Sequence, residues 1–256
     1  MIGNLFNTFI HDPLYNGLVF LIDYIPGADI GIAIILLTII VRLVLFPIAQ
    51  KAIKNQVKMR RVEPELAALR KKYKKDKPKL AQETMALYKQ HGIKFTANLK
   101  LLLIQLPVIL GLYFVFAQSG LPEIKPDTLY PFVPEPDRIK IEFLGLINLI
   151  EPSILLAALA GITQHLFTRF SFPPSIAEQE NSGELSLQDE MQKRMRFMFM
   201  YPMPIMIAVF AYIFSGAVAL YWVTSNIFSI GQELLVKRRF EKEEARQQHA
   251  GNGEHS

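Results

Sequence analysis

Five apolar runs, near residues 30–49, 99–117, 144–167, 197–214 and 217–236, each reach or approach the ~20 residues that a helix needs to cross a ~30 Å hydrocarbon core. No other feature constrains the chain as strongly. With 256 residues, 51% of them apolar, the length alone permits one or two soluble domains or one polytopic membrane domain, and run length decides for the membrane. The expected fold is all-α: a polytopic membrane protein with five transmembrane helices, an external amphipathic N-terminal helix and a cytoplasmic helical hairpin.

The first run, IGIAIILLTIIVRLVLFPIA (30–49), contains Arg42 and neither Asp nor Glu. A central arginine is disfavoured by about 2.5–3.5 kcal/mol on insertion scales. Arg42 lies within a few ångströms of the run's midpoint at ~1.5 Å per residue. Its guanidinium must therefore face water or polar protein, which predicts a wet cavity at membrane depth, unless the side chain snorkels to the nearer end.

Cysteine is absent, which excludes a disulfide framework, a thiolate metal site and a lipid-modified N-terminal cysteine. The start of the chain lacks a basic n-region and a cleavage site, so residues 1–25 are expected in the mature protein. There Leu5, Phe6, Phe9, Ile10, Leu14, Leu18 and Ile22 recur at helical spacing, with Asn7, His11, Asp12 and Asn16 between them. This predicts a helix lying in the membrane interface. A sixth span ending at Pro26-Gly27 is disfavoured, because Asp12-Pro13 interrupts it and Asp23 burdens it.

Residues 50–100 carry fifteen Lys or Arg against four Asp or Glu, whereas residues 119–151 carry three against six. By the positive-inside rule the first loop is cytoplasmic and the second external, with the N-terminus outside and the tail inside. Arg169, Lys193, Arg194 and Arg196 near the ends of the 169–196 loop and Lys237-Arg238-Arg239 after the last run agree with that orientation.

Within 50–97, Pro64 and Pro78 stand where first-turn prolines start helices, Asp76-Lys77 breaks between them, and Gly92 is placed to stop the second helix. Leu66, Leu69 and Tyr73 form one stripe and Leu80, Leu87 and Tyr88 another, so two antiparallel helices are expected. Lys71, Lys72, Lys74, Lys75, Lys77 and Lys79 concentrate charge near the tip. They serve orientation alone or bind an anionic lipid surface or RNA. Five prolines within 119–142 predict an irregular external loop, 169–196 a cytoplasmic loop, and 237–256 a disordered cytoplasmic tail.

Polar residues collect on single faces of the other runs, as a wet cavity requires. Thr38 precedes Arg42 by four residues; Gly161, Gln164, His165 and Thr168 share a face; Tyr221, Ser225 and Gln232 form a stripe beside Trp222, Asn226 and Ser229; Gln105 contributes from the second run. Singly, such residues serve as interhelical hydrogen-bond glue, and Tyr221-Trp222 equally fits an interfacial anchor. Together with an uncompensated charge they point to a hydrophilic groove. His165 has no second ligand nearby, so no metal is expected. Six of the nine methionines lie between Met191 and Met206, where they suit either varied apolar partners or packing around Pro202 and Pro204.

In order, DPLYNGLVFLIDYIPGADIGIAIILLTIIVRLVLFP, PELAALRKKYKKDKPKLAQETMALYKQHG, LLLIQLPVILGLYF and LYWVTSNIFSIGQELL resemble the YidC-type membrane protein insertases over residues from about 5 to 240. The resemblance implies a bacterial plasma-membrane protein with a groove open to cytoplasm and lipid but closed externally. The family's groove arginine matches Arg42, its last-span residues match Tyr221, Trp222, Asn226 and Gln232, and Gln105 matches in the LLIQLP phrase. Departures occur at Gly92-Ile93-Lys94-Phe95, at Ala97-Asn98-Leu99-Lys100 and at Ser215, where family members commonly carry a proline.

The expected activity is insertion of other proteins' transmembrane segments without nucleotide hydrolysis, hence no catalytic residues and no cofactor. The expected partners are nascent membrane proteins and the lipid bilayer, with the ribosome, the targeting machinery and a translocon channel around them, and no DNA. The alternative is a small-anion transporter or channel using Arg42 as counter-charge. A hydrolase built on Ser225 and His165 is weaker, since no G-x-S-x-G elbow or HExxH is present.

Overall fold

The computed structural model describes residues 2–94, 96–118, 123–171 and 187–253, and the described chain is helical apart from short turns and the segment 123–153. In chain order the helices are α1 (Ile2–Phe6), α2 (Asp12–Tyr24), α3 (Ile30–Val44), α4 (Phe46–Arg61), α5 (Glu63–Lys72), α6 (Lys77–Gln90), α7 (Thr96–Gln118), α8 (Ile154–Ser171), α9 (Leu187–Met200), α10 (Pro202–Phe214) and α11 (Gly216–Gly253). A two-stranded antiparallel hairpin, β1 (Glu142–Phe143) and β2 (Ile147–Asn148), precedes α8. The middle of the expected 169–196 loop, residues 172–186, lies outside the described residues.

Several boundaries differ from those that the apolar runs suggest, each for a local reason. Asp12-Pro13 does not interrupt the N-terminal helix. A π-helical turn, Asn7–His11, joins α1 to α2, and the Asp12 N–H reaches back to the Asn7 carbonyl, so the chain passes a proline that has no N–H to give. The first run does not continue straight through 49: α3 and α4 meet at Leu45 with a 63° bend. Pro47 accounts for it, since its ring would clash with the carbonyl four residues back in a continuous helix. Residues 144–153, counted into the third run by composition, hold the β2 strand and a turn, and Pro152 keeps the residue before it out of helical geometry. α8 instead begins after Ser153, whose Oγ accepts the Leu156 N–H at 3.4 Å. Tyr201 separates α9 from α10, ahead of Pro202 and Pro204.

At the other end, α11 runs on through residues 237–253, which composition marks as a disordered tail. Glu, Lys, Arg, Gln and Ala there are strong helix formers, and a helix already nucleated by packing extends through such residues at little cost.

One apolar core holds the bundle. Leu14, Leu18, Val19 and Ile22 of α2, Ile30, Ala33, Ile34 and Leu37 of α3, Leu112 and Val115 of α7, Ala157 and Ala160 of α8, Ala211 of α10 and Ala219 and Leu220 of α11 are all buried together. A second, small cluster of Val62, Leu66, Leu87, Tyr88 and Ile93 closes the α5–α6 hairpin. Asn16, between apolar positions of α2, is also buried: its amide donates to the Thr128 carbonyl at 3.0 Å and its oxygen accepts the Tyr130 N–H at 2.6 Å, tying the helix to the loop that follows α7.

The outer surface is apolar where a soluble protein's would be polar. Along α10, Ile205, Val209 and Ile213 are 65%, 51% and 60% exposed, one residue per turn on a single face, an apolar stripe suited to lipid contact. Among the described residues, Arg194–Phe214 alone is long and apolar enough to cross a bilayer as a helical stretch by itself, and α3 with α4 would do so as one bent pair.

Small residues let α8 and α10 touch. A Cβ on Gly161 would lie 2.9 Å from the Ala208 Cβ and 3.2 Å from the Pro204 carbonyl. In lipid, where such close packing is a main source of helix association, Gly161→Val should cost about 1–3 kcal/mol of overpacking. Thermal unfolding in detergent measures it, and an unshifted midpoint would show that α8 and α10 can part without cost.

Candidate functional site

The last helix carries the polar wall. Tyr221, Ser225, Asn226, Ser229, Gln232 and Glu233 fall at spacings of four, one, three, three and one, which places them on one face of α11, and all six are buried. Arg42 reaches that face from the last turn of α3. Its Nε donates to Ser225 Oγ at 2.9 Å, and a terminal guanidinium nitrogen donates to the same hydroxyl. The guanidinium thus turns into the bundle and does not run out along the helix, while Leu43 and Val44 beside it stay exposed. Two of its five N–H donors are used on Ser225; among the described residues no carboxylate pairs with it.

Gln105 of α7 completes this level of the site, donating from Nε2 to the Tyr221 hydroxyl at 2.9 Å. Arg42, Gln105, Tyr221 and Ser225 therefore come together from three helices. The remaining residues singled out by spacing occupy other levels. Asn226 donates to Thr163 Oγ1 at 3.3 Å, tying α11 to α8. Gln164 bonds within its own helix to Thr168, and Gln232 donates to the Phe46 carbonyl at 3.4 Å, at the start of α4. Thr38 shares the Arg42 face, yet its hydroxyl is spent on the Ile34 carbonyl at 2.6 Å. Trp222 is half-buried and packs against the apolar core. His165 is held by the Met200 carbonyl at 2.9 Å. Among the described residues no group of acids and histidines is arranged to hold a metal ion.

The six hairpin lysines, Lys71, Lys72, Lys74, Lys75, Lys77 and Lys79, are exposed around the α5–α6 turn. Asp76 caps α6 by accepting the Lys79 N–H at 3.0 Å, and the Lys72 and Lys79 ammonium groups sit 5.2 and 5.4 Å from the Tyr73 ring centroid, a cation–π arrangement that gathers charge at the tip.

Two acids that spacing did not single out belong to the same framework. Asp29 caps α3, accepting the Gly31 and Ile32 N–H groups at 2.8 and 3.2 Å, and its other oxygen accepts the Leu144 N–H at 2.8 Å. Glu233, buried in α11, accepts the Ser171 hydroxyl at the end of α8 and pairs with Lys237 at 2.5 Å. An acid inside an apolar run, one turn ahead of a lysine, was the signal available for Glu233.

Comparison with known proteins follows this geometry. A family model described as "60Kd inner membrane protein" matches residues 21–244. The chain is 30% identical over 220 residues to a Clostridium tetani protein named "Membrane protein insertase YidC", covering 86% of this chain and 87% of the relative. It is 33% identical over 212 residues to an Oceanobacillus iheyensis protein of the same name, covering 81% and 74%. Against "Membrane protein insertase MisCA" of Bacillus subtilis it is 31% identical over 239 residues, covering 90% and 80%.

Proposed function

The chain belongs to the 60Kd inner membrane protein family, whose relatives named as insertases support an insertase role in a bacterial membrane, and on that premise we propose how this molecule performs it. Five membrane-crossing segments, with the N-terminus external and the hairpin and tail cytoplasmic, enclose a hydrophilic groove around Arg42. A nascent segment with a short acidic external tail enters from the cytoplasm. Arg42 attracts the tail, because a charge pair in a site of lowered dielectric is worth several times its value in water. The apolar segment then slides along the lipid-facing sides of α8 and α11 into the bilayer, and hydrophobic transfer, about 25 cal/mol per Å² of apolar surface removed from water, supplies the direction. No nucleotide is consumed and no side chain acts as a catalyst. The exposed hairpin lysines hold the ribosome or the targeting machinery near the groove's entrance.

The observation that supports this reading is the Arg42 guanidinium turned inward onto Ser225, with donors left over and, among the described residues, no carboxylate to neutralise it. Site-specific crosslinking from residues 164 and 222, and from residue 209 on the outer face of α10, to a stalled nascent membrane segment tests it with Arg42 left in place. Adducts from residue 164 or 222 are expected. Crosslinks from residue 209 alone would sink the route.

A further inference from the structure

A buried carboxylate at the far end of the α11 polar face has no part in the route just described. Glu233 is 2% exposed. The Ser171 hydroxyl donates to one of its oxygens, and the Lys237 ammonium, one turn on, pairs with the other at 2.5 Å. That ammonium also donates to the Phe170 carbonyl at 2.9 Å, and Gln56 of α4 donates to the Ser171 carbonyl at 2.7 Å. Arg60, one turn beyond Gln56, has a buried terminal nitrogen without a hydrogen-bond partner. Burial pulls its guanidinium below the ordinary arginine range, and the carboxylates of Glu233 and Glu63 oppose that pull.

Three elements that are distant in sequence, the base of the hairpin in α4, the end of α8 and the middle of α11, thus meet at Ser171, whose carbonyl takes Gln56 and whose hydroxyl donates to Glu233. An isolated helical ion pair in water contributes a few tenths of a kcal/mol and needs no burial. Burying one costs desolvation that only a full set of donors offsets. Among the described residues Glu233 accepts one hydrogen bond, from Ser171; its other oxygen faces the Lys237 ammonium at 2.5 Å as an ion pair and accepts no hydrogen bond, and Arg60 supplies a further positive charge.

From this convergence we propose that Glu233 is a positioning residue for insertion: it fixes the separation of α4, α8 and α11 at the mouth through which a nascent segment reaches Arg42. The proposal rests on the insertase reading above. Glu233 lies eight residues, ~12 Å along the helix, from Ser225, which Arg42 grips, and Gln232 beside it reaches the start of α4. A mouth that opens or shifts there changes delivery of the segment without touching the guanidinium.

The test uses the full chain in proteoliposomes with a stalled acidic-tailed substrate, photo-crosslinkers at residue 57 for the mouth and residue 222 for the interior, and three variants. Glu233→Gln, which keeps size but loses charge, should lower insertion about tenfold, a modest share of what losing one partner of a buried pair can cost. Its residue-222 crosslinks should fall while those from residue 57 persist. Glu233→Asp should recover part of the loss. The exchange Glu233→Lys with Lys237→Glu, which restores an ordinary helical pair but sets Lys against Arg60, should not. Unchanged insertion by Glu233→Gln, recovery by the exchanged pair, or a loss that merely tracks the amount of protease-resistant protein would each overturn the proposal. Failure of the insertase reading looks different, since protein with Glu233 intact would then give no residue-222 crosslinks at all.

Discussion

Arg42→Ala should reduce insertion of single-span substrates with short acidic external tails about tenfold or more, and leave substrates with neutral tails far less affected. Two unit charges 4 Å apart interact by about 4 kcal/mol at an effective dielectric of 20, and even a third of that, after the tail's own desolvation, is a factor of ten. The fold should survive, because Arg42 makes its hydrogen bonds to one hydroxyl and Ser225 keeps its place on a helix anchored elsewhere by Asn226 and Thr163. Arg42→Lys should fall between the two: the charge remains, but the planar fork that addresses Ser225 with two nitrogens is lost. Insertion measured in a depletion strain or in proteoliposomes decides. Undiminished insertion across several acidic-tailed substrates would remove Arg42 from the mechanism. Equal loss in the Lys and Ala variants would make its role one of shape. An anion flux in protein-bearing liposomes that disappears in Arg42→Ala would instead favour a small-anion transporter, the competing use of the same counter-charge.

How much of this could be read from residues alone depends on how far each determinant reaches along the chain. The all-helical character was legible, since apolar runs near bilayer length are a local signal. The helical starts near Pro64 and Pro78 are local too: each proline sits at the second position of its helix, where a missing N–H is harmless. Breaks were less legible because the same residue can act in two ways. Pro47 bends the first run by 63°, whereas Pro13 is absorbed by a π turn, and only the neighbouring packing distinguishes them. Arg42 and Ser225 could each be named from periodicity, but their pairing could not, being a contact across 183 residues. Thr38 illustrates the converse: a residue on the right face whose hydroxyl is consumed by its own backbone. Asp29 and the distant contact of Glu233 escaped spacing arguments because their partners, the Leu144 N–H and the Ser171 hydroxyl, are uncharged groups on segments far along the chain; only the Lys237 pairing of Glu233 was local.

Asp29→Ala should destabilise the fold more than the other substitutions predicted here. The carboxylate caps α3 with one oxygen and holds the Leu144 N–H of the β1–β2 turn with the other, at 8% exposure. Losing the cap costs about 1 kcal/mol, and leaving the Leu144 N–H without an acceptor costs about 1–3 kcal/mol more, so roughly 2–4 kcal/mol is expected in total. The segment around it has little slack: Ala28 is held at φ 52°, and residues 28–30 are stitched to Lys140 by the Lys140 N–H donating to Ala28 at 2.9 Å and the Ile30 N–H donating to Lys140 at 3.1 Å. Asp29→Asn keeps an acceptor but has one carbonyl oxygen where two are needed, so it should lose about half as much. Thermal unfolding in detergent gives the stability change, and hydrogen exchange at Leu144 reports the clasp directly; an unaltered midpoint with Leu144 still protected would show that another group holds the turn. Because Asp29, at the cap of α3, and Arg42 lie thirteen residues apart, ~20 Å along a rigid helix, insertion by folded Asp29→Ala protein should stay close to normal per molecule, which separates damage to the Asp29 clasp from damage at Arg42.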